Sequence, residues 1–193
     1  MKDLNGNYAI QVLFYFTEVI MNIIKNTIKT EVVYDDECKK RYCLHVEWDK
    51  ARERACVIML SAGKTNGISF DHTTNYVLEN LIDLNYGCAD IVNLFASNDK
   101  SDSSSDNENL KVISKVVKDS DIVVFATGAT YRTNSRVKER QNEVLEMLKE
   151  YEDILYCIAD EDGQRFYHPL CPKVRKWNLV KFNINEIMEE CND

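Results

Sequence analysis

Four apolar runs, Cys56 to Leu60, Asp90 to Phe95, Asp121 to Thr127 and Ile154 to Ala159, recur at nearly constant intervals along the chain. With Val57, Ile91, Ile122 and Ile154 as markers, the spacings are 34, 31 and 32 residues, the length of a strand-helix-strand unit. A strand that is apolar throughout must be covered on both faces, so the runs predict a mostly parallel sheet with helices packed on it. The intervening segments carry helical stripes. Asp71 is the expected N-cap of a helix with Val77, Leu78, Leu81 and Ile82 on one face, ended by Gly87. Leu110, Ile113, Val116 and Val117 form a second stripe, and Val137, Val144, Leu145, Leu148 and Tyr151 a third.

The fold class expected is therefore α/β: a three-layer α/β/α arrangement with a central four-stranded, mostly parallel sheet. Ahead of it, Glu31 to Tyr34 and Tyr42 to Trp48 read as an antiparallel hairpin at the sheet's edge. In the second run Tyr42, Leu44, Val46 and Trp48 alternate with Cys43, His45 and Glu47, which predicts one buried and one wet face, with His45 on the wet one. A last strand is expected around Trp177 to Phe182, with a short helix from Asn185. Residues 1–29 form an extra unit, since Val12, Leu13, Phe16, Val19, Ile20, Ile23, Ile24 and Ile28 describe an apolar helix face. That face packs on the domain of residues 30–193, or makes a homodimer or partner interface. Gln11, Thr17, Glu18 and Asn22 make the segment too polar for a membrane span.

Charge narrows the partners. The chain of 193 residues has 32 acidic against 24 basic residues and a net charge of −8, so its overall field repels polyanions. A nucleic-acid site would have to be a local basic patch. The seven cysteines, an odd number without a Cys-x-x-Cys pair, argue for reduced thiols in a cytoplasmic protein. No two histidines stand at ligand spacing, so neither a metal nor a cofactor is expected.

In an open α/β sheet, ligands gather at the carboxyl ends of the strands. The first run ends there in Ser61-Ala62-Gly63-Lys64-Thr65-Asn66, a loop whose amides can meet an anion. Gly63-Lys64-Thr65 is not a phosphate loop, because Ile58 stands where the motif needs its first glycine. Ser61, Gly63, Lys64 and Asn66 are the candidate ligand-binding residues here. His168, in His168-Pro169-Leu170, follows the fourth run and is the best candidate for moving a proton or stabilising a developing anion; a histidine capping a turn before proline is the ordinary alternative. Two basic clusters leave the same edge: Arg132, Arg136, Lys138 and Arg140, then Arg165, Lys173, Arg175 and Lys176. Arg132, Arg136 and Lys173 are candidate phosphate contacts, against the usual fate of such runs as solvated helix faces. Cys171 has no orienting acid in sight and is set aside as a nucleophile.

Arg41-Tyr42 with Trp48-Asp49, Val57-Ile58-Met59-Leu60, Asp71-His72-Thr73, Val92-Asn93-Leu94-Phe95, Gly128, and Leu155-Tyr156-Cys157 before His168-Pro169-Leu170 resemble, in order, the bacterial and phage domain-of-unknown-function family numbered 1643. The layout also resembles the uracil-DNA glycosylase superfamily. That resemblance implies a base-sugar hydrolase in which His168 stabilises the charge leaving on the base. Asn93 and Gly128, from the stretches that resemble family 1643, join the ligand-binding candidates. Where the family reads Asn-Pro-Ser this chain has Ser61-Ala62-Gly63, so the water-positioning role would fall to Asp71 or Asn66. The function expected is nucleotide or nucleic-acid binding, with glycosylase-like hydrolysis at the same site. The alternative is a non-catalytic interaction protein of a mobile element or phage.

Overall fold

The computed structural model describes residues 24–63, 65–97, 106–185 and 187. Seven strands form one mixed sheet: β1 (Lys29–Tyr34), β2 (Arg41–Glu47), β3 (Arg54–Ser61), β4 (Cys88–Phe95), β5 (Ile122–Phe125), β6 (Leu155–Ala159) and β7 (Asn178–Lys181), in the order β1-β2-β4-β3-β5-β6-β7. The four apolar runs are its middle. β4, β3, β5 and β6 lie side by side and parallel. The expected four-stranded sheet is thus corrected to seven strands, because the hairpin β1-β2 joins β4 antiparallel and β7 joins β6 antiparallel.

Alternation along the strands splits the core. Cys56 and Ile58 of β3 pack with Ile113 and Val117 of α2 (Asn107–Lys118) and with Val144, Leu145 and Leu148 of α3 (Ser135–Leu148). Ala55, Val57 and Met59 pack instead with Val77, Leu78 and Leu81 of α1 (His72–Asp83). Burying each such aliphatic side chain contributes about 1.5–3 kcal/mol, which is why β3 and β4 hold the centre.

Asp71 caps α1 as expected, its Oδ1 accepting from Thr74 N at 2.8 Å. The helix stop differs from expectation. α1 ends at Asp83, Asn85 takes the left-handed conformation (φ 70°), and Gly87 lies beyond the helix, pressed against the turn at Asp49. Hairpin coverage also differs. β2 is flanked on both sides, and α2 covers its second face, so Cys43 (4% exposed) is as buried as Leu44 and Val46, and His45 is bonded within the sheet rather than wet.

The apolar N-terminal helix expected from Tyr8 to Ile28 lies outside the described residues up to position 23. Residues 24–28 are irregular, with Ile24 and Ile28 exposed. The Ser/Asp segment 98–105 and Lys64 also lie outside. No helix among the described residues is long and apolar enough to cross a membrane. The six described cysteines, 38, 43, 56, 88, 157 and 171, are free thiols.

Candidate functional site

The chain leaves β3 toward β4 on one side and reaches β5 on the other, so strand order reverses at the β3-β5 junction. The crevice outside the carboxyl ends at such a reversal is the usual ligand position in open α/β sheets. The cavity of this protein lies one strand over from that junction, where the loop after β5 meets the segment after β6.

After Phe125 the chain stays buried through Gly128, and Thr127 Oγ1 donates to Gln141 Oε1 at 3.0 Å, tying the loop to α3. Gly128 has φ 74°, and a Cβ placed on it would stand 3.0 Å from the Cβ of His168. Glycine is needed there for both reasons, and it brings the two loops into contact. A short 3-10 turn, Thr130–Arg132, follows, in which Tyr131 is buried beside Val137 and Arg132 Nε donates to Tyr131 Oη at 3.3 Å.

On the other side, Asp160 organises the turn after β6. Its Oδ1 accepts from Gln164 N at 2.8 Å and its Oδ2 from Tyr167 Oη at 2.6 Å. The Tyr167 hydrogen bond holds the Asp160 carboxyl below its usual range, and the carboxylate in turn pushes the phenol up to about 12. Phe166 is buried with a left-handed backbone (φ 63°) and packs edge-on against Phe182 at 5.2 Å. Such a conformation persists only where the surroundings over-determine it. Farther on, Asn80 of α1 accepts from Trp177 N at 2.8 Å and donates to Arg175 O at 3.3 Å, which anchors the segment to α1.

His168 follows directly. Its Nδ1 accepts from Leu170 N at 3.2 Å, so the neutral ring carries its proton on Nε2 as a donor. Burial lowers its pKa from the usual 6.5, favouring that neutral form. Because the folded pKa is depressed, protonation opposes folding: stability present above pH 6.5 is lost as pH falls toward the folded value. His168→Gln is therefore expected to flatten the fall in melting temperature between about pH 7 and 5, and an unchanged slope would show that other groups set it.

Between the two loops lies a cavity of about 650 Å³. Its lining brings together Gly128, Arg132 and His168 with Tyr131, Arg165 and Tyr167, and among the described residues it includes no carboxylate. The other expected residues stand elsewhere. Lys173 pairs with Asp160 at 3.8 Å, and the Arg136 guanidinium lies 4.8 Å from the Phe95 ring centroid. Ser61 sits opposite Phe95 at the end of β3, and Asn66 closes its own loop by accepting from Ile68 N and Ser69 N. Asp71 is held as the α1 cap, with Oδ2 where a Gly63 side chain would be. Asn93 Oδ1 accepts from Arg41 Nη2 at 3.3 Å. Arg41 is 3% exposed, and its Nε and Nη1 have no hydrogen-bond partner, a buried cation that the sequence reading passed over.

The family described as Protein of unknown function (DUF1643) matches residues 41–170. The chain belongs to this family. The DUF1643 match begins at the buried Arg41 and ends two residues after His168, so it contains both cavity loops and leaves out β1 and β7. No curated protein and no solved structure matches the chain. Tyr131 and Tyr167, missed in the sequence, each adjoin a residue that was found, Arg132 and His168. That adjacency was the one available signal.

Proposed function

We propose that this DUF1643 protein binds a nucleotide or nucleic acid at the carboxyl ends of its strands, in the cavity between the Gly128 and His168 loops of a three-layer α/β/α frame. One observation carries the reading. In a chain of net charge −8, the cavity is lined by two guanidiniums, an imidazole and two phenols, with no carboxylate among its described lining. The planar guanidinium fork of arginine suits a pair of phosphate oxygens, and aromatic faces suit a base. The Nε2-H of His168 supplies a neutral donor of fixed orientation.

Hydrolysis of a base-sugar bond is the second reading, favoured by that donor, which can stabilise negative charge developing on a leaving base. Asp71, the expected water activator, is occupied as a helix cap, so binding is the stronger reading. The test is thermal stability of wild type and of Arg132→Ala/His168→Ala at low salt, against mononucleotides, single- and double-stranded DNA, and RNA. Ligand at a hundred times its dissociation constant adds about 2.7 kcal/mol, expected for wild type and lost in the variant. Binding should also weaken with added salt as phosphate contacts are screened. No shift with any ligand, or an equal shift in the variant, would sink the proposal. Absence of free base after incubation with a bound oligonucleotide would remove the hydrolytic reading alone.

A further inference from the structure

At the opposite, amino-terminal end of the parallel strands, β2 and β4 place His45 directly across from Asp90, and Glu47 across from Cys88. Cys88 and Asp90, two residues apart on one strand, share a face with His45. His45 Nδ1 lies 2.8 Å from Asp90 Oδ1 and 3.6 Å from Cys88 Sγ, and Cys88 Sγ lies 3.9 Å from Asp90 Oδ2. One ligand atom from each of the three falls within 4.8 Å of the other two. We propose that His45, Cys88 and Asp90 form a binding site for a zinc-type divalent transition-metal ion, distinct from the cavity at the other end of the sheet.

The distances support one ion held by all three. Zinc takes nitrogen and carboxylate oxygen at about 2.0–2.2 Å and thiolate sulfur at about 2.3 Å, so tetrahedral ligand atoms stand roughly 3.3–3.6 Å apart. The His45-Cys88 separation already has that value. His45 Nδ1 stands closer, at 2.8 Å, to Asp90 Oδ1, and Cys88 Sγ wider, at 3.9 Å, from Asp90 Oδ2, so side-chain adjustment must bring one carboxylate oxygen to both. Donor chemistry selects the ion class. A thiol, an imidazole and a carboxylate favour zinc-like metals over magnesium or calcium, which prefer oxygen alone. Cys88 and Asp90 are nearly buried, 6% and 3% exposed, so an ion there would be shielded from water. A cavity of about 400 Å³, lined by His45, Asp90 and Arg54 but not by Cys88, opens onto two of the three ligand residues.

Arg54 occupies this place with its own charge. Its Nε donates to Asp90 Oδ2 at 2.5 Å, and its Nη2 lies 3.3 Å from His45 Nδ1. The side chain is 38% exposed, so it can turn to solvent when another cation arrives. Guanidinium and metal are alternative counter-charges for Asp90. Loading releases the Cys88 thiol proton to buffer and displaces the Nδ1 proton through which His45 bonds Asp90, so the thiolate sulfur and the freed Nδ1 lone pair become ligands.

The test uses the full-length, reduced, chelator-stripped protein titrated with cobalt(II), followed by its thiolate-to-cobalt charge-transfer absorption, with zinc affinity read by chelator competition. One equivalent of cobalt should produce the band, and Cys88→Ser should abolish it. Asp90→Asn and His45→Gln should each weaken zinc binding about tenfold or more. Cys38→Ser and Cys171→Ser should leave both readouts unchanged. Arg54→Gln removes the competing cation and no ligand, so it should tighten binding. A wild-type protein without the band, a band surviving Cys88→Ser, or weaker binding in Arg54→Gln would each overturn the site. The Arg54→Gln arm decides even if a ligand variant fails to fold, as monitored by circular dichroism.

Discussion

Phe125→Ala is expected to lower the unfolding free energy by about 3–5 kcal/mol, the cost of truncating a large core aromatic. Among the described residues Phe125 is the largest of the fully enclosed side chains, at 0% exposure on a central strand. The β5 backbone cannot move far to fill the space, because β3 and β6 pair with it on both sides. For a chain of this size the melting temperature should fall by roughly 10 °C, with the denaturant slope unchanged. The site should feel it too. Phe125 packs on Phe182 with ring centroids 6.1 Å apart, and Phe182 packs on Phe166 at 5.2 Å. Phe166 lines the cavity from a backbone conformation that needs support. Loosening that stack should weaken ligand binding at His168 beyond what reduced folding explains, measured on protein still fully folded at low temperature. A loss under about 1.5 kcal/mol would mean that the aromatic stack repacks instead.

The parallel centre was legible because continuous apolar runs have few alternatives: they must be covered twice, and their spacing left room for one helix between each pair. Asp71 was legible as a cap for a similarly local reason. What escaped was what depends on coverage by distant elements. Alternation in Tyr42 to Trp48 looked like a wet face because polarity was taken for exposure. In the structure Cys43, His45 and Asp90 are polar or polarisable groups enclosed under α2 and satisfied by one another. Arg41 was missed on the same ground. Metal-ligand spacing in a sequence is legible for paired histidines, whereas the three residues proposed above as ligands are split between two strands, which no spacing rule reveals. Of the residues lining the cavity, His168 and Arg132 are singled out in the sequence by strand ends and charge and Gly128 by the family resemblance, while nothing in the sequence singles out Tyr131 or Tyr167. Asp71 shows the converse: its residue type suggested chemistry, and its place in the chain uses it for a helix.

Gly87→Ala should be the most damaging single-methyl change in the protein. The sequence assigns Gly87 to stopping a helix, and by that reasoning alanine would cost little at a position with no positive φ. The structure gives a different reason for glycine. A Cβ there would stand 1.9 Å from the Asp49 carbonyl oxygen and 2.8 Å from Arg52 Cβ, and the nearer obstacle is backbone that cannot rotate away. That backbone is also fastened to residue 87 itself. Trp48 N and Asp49 N both donate to Gly87 O at 3.0 Å, and Gly87 N donates to Glu53 O at 2.9 Å. Relieving the clash therefore breaks the bonds joining the turn after β2 to the start of β4. The expected loss is about 3 kcal/mol, the upper part of the overpacking range, read by denaturant unfolding. Gly163→Ala is the control. Gly163 has φ 81° but nothing within 4 Å of its would-be Cβ, so alanine there meets only the left-handed backbone cost of roughly 1–2 kcal/mol. If the two variants lost equal stability, the close approach at Asp49 would not be what requires glycine at position 87.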